Sequence, residues 1–176
     1  MELRGSAGAR RRLSEIQSQL LSARLALLIQ QQTLSDWLGV ASRTLRDWEK
    51  GYDTPSLKHL IGWARHLGLR LIIMDPLGSP DASPAVPEDC EPFELIEMRR
   101  LALPLERSRR ARELSQGDLA LLLGVSRSTV QRWEDVEKFP RPIALIAWAS
   151  RLKCSVRLER IAPSYSDSAR PDEDSD

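Results

Sequence analysis

Apolar residues recur at helical spacing along most of the chain and give way to alternation in two places. Leu13, Ile16, Leu20, Leu27 and Leu28 trace one face of a first helix. A short second helix follows over Gln31–Leu38, ended by Gly39, because glycine suits the left-handed position after a helix. Val40, Leu45 and Trp48 then point one way along a third helix, and a fourth covers about 57–67. Leu69-Arg70-Leu71-Ile72-Ile73-Met74 is β-rich and predicts a short strand.

The second half runs through the same order. Ser115 predicts an N-cap before Gln116, and Ser126 another before Arg127–Glu134. Gln30 and Ala41 occupy those places in the first half, so its caps are weaker, with Ser42 expected to cap one residue late. Val125, Val130 and Trp133 point inward, a fourth helix covers 142–152, and Ser155–Arg160 predicts a second strand. Pro104 interrupts the approach, so 93–103 is expected as a separate helical segment. One lone strand per half would leave backbone groups unpaired; the two can pair with each other.

An offset of 85 residues, without a gap, accounts for the likeness. It aligns Leu34-Leu38-Gly39-Val40 with Leu119-Leu123-Gly124-Val125, and Trp48-Glu49 with Trp133-Glu134. It continues through Leu60-Ile61-Trp63-Ala64-Leu67 against Leu145-Ile146-Trp148-Ala149-Leu152. Chance does not place two pairs of tryptophans in register, so the chain is a duplication. The reading is module one over 13–74, an acidic linker over 75–94, module two over 95–161 and an acidic tail over 162–176. Prolines at 76, 80, 84, 87 and 92 favour extended chain in the linker, and the tail has too few apolar residues to bury a core.

Charge sharpens this division. The formal net charge is +1, but the linker holds six acids and no base, and the tail five acids and one base. The rest of the chain carries 25 bases against 14 acids. All but four of the bases are Arg, whose fixed fork suits phosphates and base edges. No apolar run approaches the ~18 residues of a membrane span, and the N-terminus lacks the apolar stretch of a signal peptide. Two distant cysteines, Cys90 and Cys154, suggest a reducing compartment and no metal site. His59 and His66 align with Ala144 and Arg151, which points to solvated helix faces. The Arg10-Arg11-Arg12 run is either a basic arm reaching along a duplex or a start without structure.

SQGDLALLLGVSRSTVQRWE (115–134) resembles the lambda-repressor/Cro-type, or XRE, helix-turn-helix family, and QQQTLSDWLGVASRTLRDWEKG (30–51) resembles it less closely. The resemblance implies that the third helix of each module enters the major groove of DNA. The outward positions are then Ser42, Arg43, Arg46, Asp47 and Lys50 in module one, and Arg127, Ser128, Gln131 and Arg132 in module two. Arg suits guanine, Gln adenine, and Asp can accept from cytosine. The resemblance assigns Gln31 and Gln116 to phosphates; Lys138 and Arg141 are further phosphate candidates, with Asp135 and Glu137 unwelcome beside them. It also implies structural salt bridges Arg24–Glu49 and Arg109–Glu134. Asp47 repels phosphate, which leaves open that module one serves pairing alone.

These readings converge on a mainly all-α protein of two tandem helix-turn-helix modules, about four helices each, whose terminal strands form a two-stranded ribbon. The expected activity is sequence-specific regulation of transcription, as a repressor, by one chain acting as a pseudo-dimer on double-stranded DNA in the cytoplasm and nucleoid. The strand after helix four also resembles the HipB-type antitoxins. That keeps a second reading, a toxin-binding protein that represses its own operon, with a toxin or the transcription machinery as protein partner. No catalytic set, cofactor site or metal cluster stands out, and no membrane association is expected.

Overall fold

The structure, a computed structural model, describes residues 6–80 and 91–161. The first repeat folds as α1 (Ser6–Ala26), α2 (Gln31–Leu38), α3 (Ser42–Glu49), α4 (Leu57–His66) and β1 (Leu69–Met74). The second folds as α5 (Phe93–Ala111), α6 (Gln116–Leu123), α7 (Arg127–Glu134), α8 (Pro142–Arg151) and β2 (Ser155–Arg160). The middle of the linker (81–90, with Cys90) and the tail (162–176) lie outside the described residues.

Each repeat closes around a tilted pair of tryptophans. Trp48 lies 6.2 Å from the fully buried Trp63, and Trp133 lies 5.8 Å from the fully buried Trp148, centroid to centroid. Leu13, Ile16, Leu20, Leu34, Leu45 and Leu60 from the first repeat join Met98, Leu101, Leu105, Leu119, Val130 and Leu145 from the second in one continuous core. Left-handed residues also repeat at the 85-residue offset: Leu28 with Glu113, Gly39 with Gly124, Gly51 with Val136, and Gly68 with Lys153. The duplication therefore preserves the points where the chain must turn.

Several expectations are corrected. Leu27 and Leu28 are not on the face of α1; the helix stops at Ala26, and both lie exposed in the turn, Leu28 at φ 55°. Pro104 does not divide the approach to the second repeat, since α5 runs through it unbroken. The lost N–H bond and ring clash oppose the helix there, but Met98, Leu101, Ala102 and Leu105 on either side are fully buried and hold it. Arg10-Arg11-Arg12 forms no free arm: it lies within α1, and the Arg12 Nε–H donates to the Val156 carbonyl at 2.9 Å. Residues 75–80 do not extend. The Asp75 N–H donates to the Ser79 carbonyl, and Pro80 bridges back to Met74. His59 is not on a solvated face but half-buried against Trp48, whereas His66 is exposed as expected and stacks on Trp37 at 5.5 Å.

The two repeats meet through β1 and β2, which pair antiparallel with Leu71 opposite Leu158 and Ile73 opposite Val156. Adding 85 to Leu71 and subtracting 85 from Leu158 gives the second pair, so the register obeys a two-fold relation between the repeats. Leu71, Ile73 and Val156 are buried on one side of the ribbon and Leu158 half-buried; Ile72, facing the other way, is buried too. First helices cross over to the opposite repeat: α1 packs on α8, and α5 on α4 and β1. Arg12 holds the Val156 carbonyl while the Arg100 guanidinium, paired with Glu97, holds the Leu71 carbonyl. These two carbonyls are also 85 residues apart. Arg65 over the Phe93 ring at 3.8 Å and Lys58 over Phe139 at 5.1 Å add cation–ring contacts across the junction.

Candidate nucleic-acid interface

In both repeats two eight-residue helices are joined through a left-handed glycine, Gly39 at φ 65° and Gly124 at φ 74°. That residue lets the chain reverse sharply and sets the third helix across the second. From behind, the third helix is fixed by a buried cluster. Arg24 grips Glu49 with two hydrogen bonds (Nε–Oε1 2.6 Å, Nη2–Oε2 3.0 Å) and donates a third to the Ile29 carbonyl at 2.9 Å. Arg109 does the same to Glu134 (2.7 and 2.9 Å) and the Leu114 carbonyl (2.7 Å). The hydrogen bond that Arg109 donates to Glu134 raises the Arg109 pKa against the opposing effect of burial. One cluster thus ties the end of the first helix, the turn after it and the end of the third.

Gln31 and Gln116 belong to this cluster. Their amides donate to the same carboxylates, Gln31 to Glu49 at 2.7 Å and Gln116 to Glu134 at 2.9 Å. Each amide keeps a second N–H, so orientation by the glutamate and donation to a ligand are compatible.

The caps differ between repeats. Ser115 and Asp118 form a reciprocal capping box on α6: Ser115 Oγ accepts from the Asp118 N–H at 3.1 Å, and Asp118 accepts from the Ser115 N–H at 2.9 Å. The Ser115 hydroxyl, also donating to Asp118 at 2.6 Å, holds that carboxyl below the usual carboxylate range. Ser126 caps α7 through the Thr129 N–H. Neither Gln30 nor Ala41 caps with its side chain, and Ser42 does not cap one residue late. Ser42 begins α3, and its hydroxyl instead donates to the Gln32 amide oxygen and meets the Ser35 hydroxyl at 3.0 Å. The Gln32 Nε2 donates in turn to Asp36 at 2.8 Å. A polar network of side chains thus links α2 to α3 without capping either helix.

The outward positions follow the sequence expectation in placement. Arg127, Ser128, Gln131 and Arg132 are exposed along α7, with Ser128 bonded to Ser126 at 3.0 Å. On α3, Arg43 and Arg46 are exposed and Asp47 is half-buried, with Arg43 Nε 3.9 Å from its carboxylate. Lys50 lies beyond the helix, 5.8 Å from the Tyr52 ring centre. Lys138 is exposed after α7, its N–H donating to the Arg132 carbonyl. Arg141 is the N-cap residue before α8 and lines a cleft of about 380 Å³ together with Asp53, Thr54, Pro55 and Ser56 of the first repeat. Sequence reasoning missed Gln32. The signal was available, because the offset sets Gln32 against Gly117.

Among the described residues no helix is long and apolar enough to cross a membrane. No curated protein and no solved structure matches the chain. A family model described as helix-turn-helix matches it twice, over residues 20–73 and 105–158, which brackets both buried Arg–Glu–Gln clusters and both third helices. The chain therefore belongs to the XRE-type helix-turn-helix family of DNA-binding regulators, and carries its unit in tandem.

Proposed function

We propose that this protein is a transcriptional repressor that binds double-stranded DNA as a single-chain pseudo-dimer, α3 and α7 entering successive major grooves. The units are 13–74 and 95–161, joined by 75–94 and followed by the acidic 162–176. The observation that carries the reading is the ribbon, whose register keeps a two-fold relation between two unlike repeats. A two-fold pair of recognition helices matches half-sites about one helical turn apart. Arg127, Ser128, Gln131 and Arg132 read one half; Arg43 and Arg46 with Ser42 read the other, where Asp47 repels phosphate. Gln31, Gln116, Lys50, Lys138 and Arg141 hold phosphates. Because the readers differ, the site is not a palindrome.

Selection of bound sequences from a random DNA pool by the purified chain tests this. The expected product is an asymmetric site with unrelated halves about 10 base pairs apart, bound by one chain per duplex. A palindrome bound by two chains would overturn the pseudo-dimer. The paired strands also favour a second reading, an antitoxin whose protein partner is a toxin; a ribbon variant that lost a toxin while keeping its DNA site would favour it.

A further inference from the structure

A reciprocal exchange of large and small residues at two matched positions singles out Gln32. At the start of its second and third helices, the second repeat has Gly117 and Arg127. The matched positions of the first repeat are Gln32 and Ser42. Where one copy carries its long side chain on the third helix and a glycine on the second, the other carries its long side chain on the second helix and a serine on the third. The Ser42 hydroxyl bonds the Gln32 amide oxygen, so the Gln32 head group is held over the first turn of α3, the turn from which Arg127 projects in α7.

We propose that Gln32 is a base-reading residue of the first repeat, delivered from α2 in place of the arginine that the second repeat delivers from α7. This rests on the DNA-reading function proposed above. The amide is oriented on both sides, its oxygen by the Ser42 hydroxyl and its nitrogen by the Asp36 carboxylate. One N–H and one oxygen lone pair remain. A donor and an acceptor side by side match adenine, where N7 accepts and N6–H donates. Arg127 presents two donors, which match guanine N7 and O6. The two halves of the site then differ at the corresponding position, adenine in the first-repeat half and guanine in the second. Asp36 fixes the amide against flipping, so that the donor side stays the donor side.

The test is selection from a random pool with the wild-type chain, Gln32→Ala, and Gln32→Gly combined with Ser42→Arg. Gln32→Ala is expected to lower discrimination for adenine at one position of the first-repeat half by about 5- to 150-fold and leave the other half intact. The double variant, which copies the second repeat at both positions, is expected to move the preferred base there to guanine. Thermal melting of each variant shows whether the fold is kept, and a change of base identity at one position is a result that a merely structural network would not give. If both variants select the wild-type base, Gln32 is no reader although DNA reading stands. If the wild-type chain enriches no sequence, the underlying function fails along with the inference.

Discussion

The two recognition surfaces are built on one frame and finished differently. On α7, Arg127, Gln131 and Arg132 stand exposed over a helix that Ser126 caps. On α3 the start of the helix is tied to α2 through Ser42, Gln32 and Ser35, and Arg43 leans toward Asp47. An open cationic surface gains more from phosphate and base contacts than one whose polar groups already have partners. The difference teaches where to look for specificity in a duplication. Features kept at the offset, such as the Arg–Glu pairs and the tryptophan pairs, are demands of the fold. Features exchanged at the offset are free to serve the site.

The largest effects should come from the kept features and be equal in the two copies. Arg24→Ala and Arg109→Ala each leave a buried carboxylate without its partner, which costs about 3–5 kcal/mol. Denaturant unfolding of the two variants checks this. A cost below about 1 kcal/mol in one copy alone would break the equivalence of the frames.

Next in size are the exchanged features, and here the copies should part. Arg132→Ala is expected to weaken specific DNA binding by about 1–3 kcal/mol and relax preference at one or two base pairs. Asp47→Ala, at the matched position of α3, removes a repulsion from phosphate and should tighten binding to all sequences. Titration of labelled duplex at fixed salt measures both. Weaker binding by Asp47→Ala would mean that the carboxylate reads a base.

The sequence made the frame legible because duplication supplied its own control. The limits of α2 and α7, the start of α6, both strands and the partner of each strand follow from periodicity and the offset. The misses have local causes. Leu27 and Leu28 continue the apolar stripe of α1, yet the stripe cannot report that Arg24 ties off the chain at the Ile29 carbonyl and turns it there. Pro104 reads as a breaker because its cost is local, whereas the burial of α5 that outweighs it is spread along the helix. Arg12 looks like a solvated arm until the long-range contact with Val156 is in view. At the interface, outward positions were legible from helical spacing. The Gln32–Ser42 contact was not, because it joins two helices whose packing no single period describes.

Smaller effects should appear at the turn after the third helix. Gly51 and Val136 both have positive φ, at 70° and 58°. A β-branched residue is strained there, while glycine is not. Gly51→Val should destabilise the protein by about 1–2 kcal/mol. Val136→Gly relieves strain but removes a half-buried side chain packed on the core and loosens the unfolded chain, so its net effect should stay within about 1 kcal/mol. Thermal melting of the pair tests this; equal and opposite shifts would mean that packing by Val136 contributes nothing.

The smallest effect is a difference in acid response at the start of the second helices. Asp118 in α6 is held below its ordinary value of 3.8 by hydrogen bonds from Ser115, the side-chain bond first. A carboxyl whose folded value is depressed adds stability that is fully present above the unfolded value and disappears as pH falls through the folded one. Acid should therefore loosen the first turn of α6 below about pH 3.8, when Asp118 takes up its proton and no longer accepts from the Ser115 backbone. The matched position in α2 is Thr33, which does not titrate, so the start of α2 should not respond to this proton. Carboxyl and amide chemical shifts followed from pH 6 to pH 2 read both places in one experiment. Ser115→Ala should return the Asp118 midpoint toward 3.8 and remove the coupled shift at the amide of residue 115. An Asp118 midpoint at or above 3.8 in the wild-type chain would mean that the box does not hold in solution, and that α6 is no better capped than α2.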